Sequence, residues 1–188
     1  MIKLMNIYKS YNKVNILEDI NITFNKGLYV IYGINGSGKS TLLKIISGII
    51  YKTKGTILNT DNISYLPDKF LMPKLLSVNT YIKLVLGEEY LYLLDKYKIP
   101  KKLIGNLSKG NLQKLGLIQI LYQTSDTYIL DEPLDGLDDE AKNIFKEDII
   151  NLLKENKTII MSLHEKVLFD DINHISFFVK DGKCSEEL

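Results

Sequence analysis

A glycine-rich segment near residue 33 constrains this chain more than any other feature of its sequence. The segment fits the pattern of glycine, four residues, glycine, lysine and then serine or threonine. Its residues are Gly33, Ile34, Asn35, Gly36, Ser37, Gly38, Lys39, Ser40 and Thr41. Glycines allow backbone N–H groups to approach a phosphate without a side-chain clash. Lys39 has the reach to contact β- and γ-phosphates, and the Ser40 hydroxyl suits Mg²⁺. The pattern therefore predicts a loop that binds the phosphates of a nucleotide.

The residues on either side of this loop predict the strand and the helix that such a loop connects. Residues 28–32 form an apolar run typical of a buried strand, and apolar residues recur after Thr41 with the period of a helix. The helix positions are Leu42, Leu43, Ile45, Ile46 and Ile49. Because the N-terminal end of a helix is positive, it favours a polyanion, and the local context supports the motif.

The rest of the chain predicts an α/β domain interrupted by a helical insertion. At 188 residues and 45% hydrophobic composition, the chain is long enough for one domain with a sizeable core. Strand patterns dominate residues 2–33, and alternating strands and helices return later. We therefore predict a single domain over 1–188, with a core formed by 1–67 and 123–188 and a helical subdomain at about 68–122.

The charges and the hydropathy exclude several function classes. The 24 basic residues are all lysines and nearly balance the 23 acidic residues, which gives a net charge of +1. This balance lacks the basic surplus of a nucleic-acid-binding protein. Without arginine, the chain cannot supply an arginine finger. No apolar run approaches the roughly 20 residues that span a bilayer, and the N-terminus lacks the apolar core of a signal peptide. We therefore expect any membrane association to depend on a partner.

A second motif places two carboxylates at the end of a predicted strand. Residues 128–130 are apolar and are followed by Asp131 and Glu132. In a sheet that carries a phosphate loop, the first carboxylate would hold Mg²⁺ and the second would polarise an attacking water. An acidic turn after a strand is common, so the motif gains its meaning from the phosphate loop upstream.

A third motif, at residues 107–111, precedes a helical pattern. Its sequence is Leu107-Ser108-Lys109-Gly110-Asn111. The simple interpretation of Ser108 is a helix N-cap. The alternative is that Ser108 and the Gly110 N–H bind a further phosphate at the positive end of that helix.

Taken in order, these motifs resemble the ATP-binding cassette (ABC) ATPases. The phosphate loop is followed by a Leu-Ser-x-Gly signature, the acidic strand end, the segment 135–138 and a late His164. The resemblance extends from Leu4 to about Gly182. It implies an α/β fold with a RecA-like P-loop NTPase core, an N-terminal antiparallel β-subdomain and a helical insertion. It also implies hydrolysis of ATP to ADP and phosphate, with Mg²⁺ as cofactor, in a subunit that powers a separate transmembrane permease.

The resemblance also implies roles for individual residues. Tyr11 corresponds to the aromatic residue that stacks on adenine, and Val14 flanks the ribose. Glu132 corresponds to the catalytic base and His164 to the switch histidine that contacts the γ-phosphate, while Lys39 completes the predicted catalytic set. These assignments concern one copy of the chain.

The family pairs two cassettes head to tail, so that each ATP lies between one phosphate loop and the partner's signature. Ser108 and Gly110 would therefore act on the ATP held by a second copy, in a homodimer. The candidate metal contacts are Ser40, Asp131 and Asp68, the last because it falls near the family's glutamine that senses Mg²⁺.

The chain departs from the family pattern at three positions. Lys109 and Asn111 replace the usual glycine and glutamine of the signature, and Asp68 replaces the glutamine. Lysine in the signature is similar to the branch of small drug, peptide and antibiotic exporters. We therefore expect an exporter subunit that lies in the cytoplasm on the inner face of the cell membrane.

Two other functions stay open at the level of sequence. The chain could be a soluble ABC ATPase that serves as an iron–sulfur assembly factor without a permease. It could also be a nucleotide switch that does not hydrolyse ATP, since Asp68 and Asn111 depart from the family pattern. ATPase activity that is lost in Lys39→Ala would exclude the switch. The transported substrate is not encoded, because a cassette contacts ATP and the permease rather than the cargo.

Overall fold

The computed structural model describes residues 1–164 and 167–187, which are organised around two β-sheets. The strands of these ranges are, in chain order, β1 (Ile2–Tyr11), β2 (Val14–Phe24), β3 (Gly27–Tyr32), β4 (Lys54–Asn59), β5 (Ile63–Leu66), β6 (Thr127–Asp131), β7 (Thr158–Ser162), β8 (Ile175–Lys180) and β9 (Lys183–Glu187). The α-helices are α1 (Lys39–Ile46), α2 (Val78–Val85), α3 (Tyr92–Lys96), α4 (Lys109–Leu121) and α5 (Asp139–Lys154). Short 3₁₀ helices lie at Glu88–Tyr90, Ile104–Asn106 and Val167–Phe169.

The two sheets differ in strand direction. Strands β2, β1 and β4 form an antiparallel sheet in that order. The larger sheet has the order β5-β6-β7-β3-β8-β9, and its neighbours are parallel except for the β8–β9 pair. The parallel pairs bring the C-terminal ends of β3, β6 and β7 to one edge of the sheet, where open α/β sheets bind ligands. The predicted α/β fold with an antiparallel N-terminal sheet is confirmed.

The larger sheet is covered on both faces, as its nearly continuous apolar strands require. Successive side chains of β3 enter two different cores. Leu28, Val30 and Tyr32 pack with α5, while Tyr29 and Ile31 pack with α1 and the antiparallel sheet. The same alternation occurs in β6 and β7. This double burial fixes the strand ends that carry the candidate site.

The segment between β5 and β6 contains α2, α3 and α4 and has a core of its own. That core includes Val78, Ile82, Leu93, Leu94, Tyr97, Leu115 and Ile118. Helix α4 serves two cores, because Leu117 and Leu121 pack against the larger sheet instead. The boundaries proposed at about 68 and 122 stay a prediction. No helix in the ranges described combines the length and the apolar character needed to cross a bilayer.

Two local expectations were wrong. Ile49 was expected on the buried face of the first helix, but α1 ends at Ile46 and Ile49 is exposed. Gly48 has φ +76°, a left-handed conformation that commonly follows a helix end. Strand β9 was not expected, because its polar sequence has no apolar periodicity.

Candidate functional site

The glycine-rich loop connects β3 to α1 and closes around a lysine. Lys39 is buried, and its ammonium donates a hydrogen bond to the Gly33 carbonyl (2.7 Å) and a longer one to the Ile34 carbonyl (3.4 Å). A Cβ on Gly33 would lie 2.4 Å from the Val179 carbonyl oxygen, so only glycine fits there. Gly38 precedes α1 with φ 108°. The loop therefore holds one positive charge beside a helix N-terminus, an arrangement that suits a polyanion.

Asp131, the last residue of β6, is held by hydroxyl groups from three elements. It is only 1% exposed. Its Oδ1 accepts hydrogen bonds from the Ser40 Oγ (3.0 Å) and the Ser162 Oγ (2.7 Å), and its Oδ2 accepts a longer one from the Tyr65 hydroxyl (3.4 Å). Burial, together with the charge of Asp131, raises the pKa of Tyr65, so this phenol remains a donor. The carboxylate is fixed next to the first turn of α1.

Glu132 follows directly and adopts a backbone conformation that non-glycine residues rarely occupy. Its φ is +51°. Its Oε1 lies 3.5 Å from the Lys39 Nζ, and its Oε2 lies 3.2 Å from the His164 Nε2. Burial raises the pKa of Glu132, and the charges of His164 and Lys39 oppose that rise. The carboxylate is thus set between a lysine and a histidine.

Lys39, Ser40, Glu132 and His164 line one open cavity of about 590 Å³. Its lining residues are Tyr11, Ile16, Asn35, Gly36, Ser37, Gly38, Lys39, Ser40, Thr41, Asp68, Glu132, Asp135 and His164. A larger cavity of about 680 Å³ lies between α3, α4 and α5. It contains no residue of the phosphate loop, so the smaller cavity is the candidate nucleotide site.

The structure brings most of the predicted residues to this cavity, and the predicted residues that do not line it are Val14, Gly33, Ile34, Ser108, Gly110 and Asp131, the last of which lies behind it, bonded to Ser40. Gly33 and Ile34 line an adjoining recess that also includes Asn35 and His164. Val14 is 61% exposed and does not line the site, whereas Ile16 does. The expected ribose contact and the side chain that faces the cavity are therefore two residues apart, on either side of a register shift in the β1–β2 pair.

Ser108 and Gly110 also lie outside the cavity, at the start of α4. The Ser108 Oγ accepts a hydrogen bond from the Asn111 N–H (3.3 Å) and is the N-cap of the helix. A Cβ on Gly110 would lie 2.4 Å from the Gly136 carbonyl oxygen. The signature therefore contacts the loop that follows Glu132, within the same copy of the chain.

Side chains of α4 reinforce that contact. The Lys109 Nζ lies 2.5 Å from an Asp135 carboxylate oxygen, and the Lys114 Nζ lies 2.7 Å from one of Asp138. The Gln113 Nε2 donates to the Pro133 carbonyl (3.0 Å). Because Asp135 also lines the cavity, the lysine that is unusual in the signature is linked to the nucleotide site.

The oxygen ligands at the loop suit a magnesium ion bound together with phosphate. Mg²⁺ is usually held by one or two carboxylates plus substrate phosphates and water. Ser40 and Asp131 supply a hydroxyl and a carboxylate 3.0 Å apart. Within the residues described, no three His, Cys, Asp or Glu side chains are grouped to hold a metal ion. This donor set fits a metal that arrives with its nucleotide rather than one caged by protein.

Besides Ile16, sequence reasoning missed Ser162 and Tyr65, both of which bond to Asp131. Ser162 is a polar residue at the end of the buried strand β7, two positions before His164. A hydroxyl at that point is a weak signal that could have been used. Tyr65 has no such signal, because its contact depends on the pairing of β5 with β6.

Comparisons with known proteins bear on the sequence and on the fold. The ABC transporter family model matches residues 17–135. The lantibiotic transport ATP-binding protein SrtF of Streptococcus pyogenes is 32% identical, over 95% of this chain and 85% of that protein. The cytochrome c biogenesis ATP-binding export protein CcmA of Reclinomonas americana is 34% identical, over 81% of this chain and 79% of that protein.

An importer component and a solved structure match as well. The zinc import ATP-binding protein ZnuC of Wigglesworthia glossinidia brevipalpis is 32% identical, over 81% of this chain and 70% of its own length. The dimeric structure of MJ0796, a bacterial ABC transporter cassette, superimposes with a TM-score of 0.87 at 24% identity, over 100% of this chain and 98% of that one. That likeness concerns the fold.

Proposed function

This chain belongs to the ABC transporter family, and from that premise we propose that it powers export through a separate membrane permease. It is an ATP-binding subunit and an ATPase that uses Mg²⁺. The observation that carries the assignment of hydrolysis to this site is the position of the Glu132 carboxylate, between Lys39 and His164 at the mouth of the phosphate loop. The direction of transport and the residue roles below are part of the proposal.

We assign the chemistry to residues in the following way. Lys39 and the N–H groups of the loop bind and orient the phosphates. Glu132 accepts a proton from the attacking water, whose oxygen bonds to the γ-phosphorus as the bond to the bridging oxygen breaks and ADP departs with that electron pair. His164 holds Glu132 and faces the γ-phosphate. Ser40 and Asp131 would hold Mg²⁺, which would supply positive charge to the phosphates.

The second half of the site is proposed to come from another copy of the chain. Ser108 and Gly110 do not reach the cavity of their own copy, although they lie on an exposed helix start. Since the chain has no arginine, charge that develops on the transferred phosphate would fall on Lys39 and on donors from the partner. A homodimer that closes on ATP would supply them, and hydrolysis would then require association.

A groove beside the site is the proposed contact for the permease. It has a volume of about 380 Å³, is mostly apolar, and begins at Asp68. Apolar residues around it include Phe70, Leu71 and Met72, and Leu71 is 99% exposed. A single exposed apolar side chain is ordinary, so the proposal rests on the apolar groove that Leu71 borders. Contact there would hold the chain on the inner face of the membrane.

The exporter direction rests on the signature and on the relatives. Lys109 is similar to the signature of small exporters, and relatives named for lantibiotic transport and for export are 32% and 34% identical. The zinc import relative is 32% identical as well, so identity alone does not separate the directions. Affinity purification from a membrane extract tests the proposal. A multi-helix permease should co-purify, whereas a purely soluble complex would favour the assembly-factor function.

The catalytic assignment is tested with Glu132→Gln. Hydrolysis should fall by about 10²–10⁴-fold because the base is lost, whereas ATP binding should persist and an ATP-bound dimer should accumulate. Steady-state phosphate release and light scattering in ATP measure the two effects. Glu140→Gln, an exposed carboxylate on α5 that pairs with Lys98, is the matched control and should retain wild-type rates. Wild-type hydrolysis in Glu132→Gln would refute the role of Glu132.

A further inference from the structure

The hydroxyl of Ser162 lies between the two carboxylate residues of the site. Ser162 is the last residue of β7 and is fully buried. Its Oγ donates to the Asp131 Oδ1 at 2.7 Å and accepts a hydrogen bond from the Glu132 backbone N–H at 2.9 Å. One side chain thus contacts both the candidate metal residue and the backbone of the candidate base.

The direction of these two hydrogen bonds is fixed by chemistry. A backbone N–H can only donate, so the Ser162 oxygen accepts from Glu132 and its single proton remains for Asp131. Both bonds have good lengths for buried hydrogen bonds. The hydroxyl therefore has one orientation, and it ties the end of β6 to the end of β7.

The bond from the Glu132 N–H to Ser162 stabilises an unfavourable backbone conformation of Glu132. Glu132 has φ +51°, a left-handed conformation that is unfavourable for a residue with a side chain. Such conformations persist where the surrounding structure enforces them. The Ser162 hydroxyl anchors the N–H of Glu132, and the Asp135 N–H donates to its carbonyl (3.3 Å). The turn directs the carboxylate towards Lys39 and His164.

The bond to Asp131 has a role that its other bonds do not fill. Ser40 is itself a candidate metal contact, and the Tyr65 hydroxyl is 3.4 Å away. Ser162 is therefore the near partner that can hold the carboxylate while Ser40 and Asp131 both face a metal. Hydroxyl partners of this kind orient ligating carboxylates.

We propose that Ser162 is a positioning residue for ATP hydrolysis, and that its hydroxyl sets the carboxylates of Asp131 and Glu132 together. This inference rests on the proposed function, because it assumes that both carboxylates act in hydrolysis. It predicts that loss of the hydroxyl lowers the rate of hydrolysis and reduces the extra stabilisation that Mg²⁺ gives to the ATP-bound protein. The contacts between the loop and the phosphates should stay unchanged.

The test compares Ser162→Ala and Ser162→Thr with a control, Ser125→Ala. Ser125 is also buried, but its hydroxyl bonds to the Ser64 hydroxyl (2.6 Å) rather than to Asp131 or Glu132. Ser162→Ala should lower kcat by about 10–100-fold, with KM for ATP changed less than about threefold. Ser162→Thr keeps the hydroxyl and should retain kcat within about threefold, as should Ser125→Ala. Should Ser162→Ala fail to fold, Ser162→Cys repeats the test, since a thiol fills similar space but is a weak donor.

A binding measurement supplies a readout that is independent of turnover. In Ser162→Ala, the thermal stabilisation by ATP in EDTA should equal that of the wild type, whereas the extra stabilisation by Mg²⁺ should be smaller. Wild-type kcat in a folded Ser162→Ala protein would overturn the inference, as would an equal loss in Ser125→Ala or no rescue by a folded Ser162→Thr. If Glu132→Gln also hydrolyses ATP normally, the proposed function fails as well; if Glu132→Gln is inactive, only the role of Ser162 fails.

Discussion

The two ends of helix α4 are attached to the rest of the molecule in opposite ways. At the C-terminal end, Tyr122 joins a buried cluster around Asp148 of α5. At the N-terminal end, Lys109 pairs with Asp135 on the surface, with 76% of the lysine side chain exposed. The helix carries the signature at this exposed end, close to the candidate nucleotide site.

The Asp148 cluster is a dense set of hydrogen bonds. Asp148 accepts from the Tyr97 hydroxyl (2.6 Å), the Tyr122 hydroxyl (2.9 Å) and the Lys96 ammonium (2.5 Å). Burial and the nearby charge of Asp148 raise the pKa of both Tyr97 and Tyr122, so both phenols remain protonated donors. Such a buried and fully paired cluster holds α3, α4 and α5 in one arrangement.

The contrast shows where the helical segment can move at low cost. Exposed ion pairs contribute little to stability and are screened by salt. Truncating a buried hydrogen-bonded carboxylate leaves its donors unpaired and costs much more. The Lys109–Asp135 pair is therefore a weak attachment and the Asp148 cluster a strong one, while Gln113 and Lys114 add bonds between the first turns of α4 and the segment after Glu132.

The largest effect is expected for Asp148→Ala, which removes the strong attachment. The Tyr97 hydroxyl would be left buried without its acceptor, and the free energy of unfolding should fall by about 2–3 kcal/mol. Lys96 is about a third exposed and can regain water, so the full cost of a broken buried ion pair is not expected. Urea unfolding followed by circular dichroism measures the change.

Tyr97→Phe separates the cluster from general packing. It removes one donor and keeps the ring, so it should cost about 1 kcal/mol alone and much less in the Asp148→Ala background. Additive losses in this double-mutant cycle would show that the cluster is not a coupled unit. The two ends of α4 would then not differ in the way described.

A middle-sized effect is expected for Gly110→Ala, at the signature end. The added Cβ would lie 2.4 Å from the Gly136 carbonyl oxygen, so α4 or the loop after Glu132 must shift. Such overpacking costs about 1–3 kcal/mol, and the better helix propensity of alanine offsets up to about 1 kcal/mol of it. Because the shifted loop carries Glu132, kcat should fall more than stability alone would predict.

Gly116→Ala, in the same helix, is the matched control. There the Cβ would meet the far end of the Phe70 ring at 2.5 Å, which is a side chain rather than backbone. Phe70 can turn aside, so stability should change less and kcat should be retained. If Gly110→Ala keeps a wild-type kcat while Gly116→Ala loses it, the link between the signature and the Glu132 loop is refuted.

Local motifs and contacts between distant segments differ in how far the sequence could predict them. The phosphate loop and Asp131 were visible because each motif is local, and its chemistry requires particular residues at fixed spacing. The partners of Asp148 and Ser162 depend on contacts between segments distant in sequence, such as the register of β6 against β7. No short pattern encodes such a pairing. Val14 and Ile16 would share one face of a regular strand, but the register of β1 against β2 shifts between Asn15 and Leu17, and Ile16 rather than Val14 lines the cavity.

The smallest effect is expected for Lys109→Met, at the exposed attachment. The hydrogen bond and the charge of Asp135 raise the pKa of Lys109. The pair should therefore contribute fully below the ordinary lysine pKa of about 10.4 and be lost as pH rises through the raised value. At pH values between about 6 and 9 the pair is fully charged, and its loss in the variant should lower Tm by only about 1–2 °C because it is exposed.

Salt and a control variant decide whether this small effect comes from the ion pair. In about 1 M salt, where the screening length is roughly 3 Å, Lys109→Met and the wild type should have the same Tm. Lys83→Met removes a similar exposed pair with Glu88 (2.6 Å) and should behave alike in stability. A loss in Lys109→Met as large as that in Asp148→Ala, and insensitive to salt, would contradict the difference between the two ends of α4. A small, salt-sensitive loss in Tm would instead show that the Lys109–Asp135 pair can break at little cost in free energy.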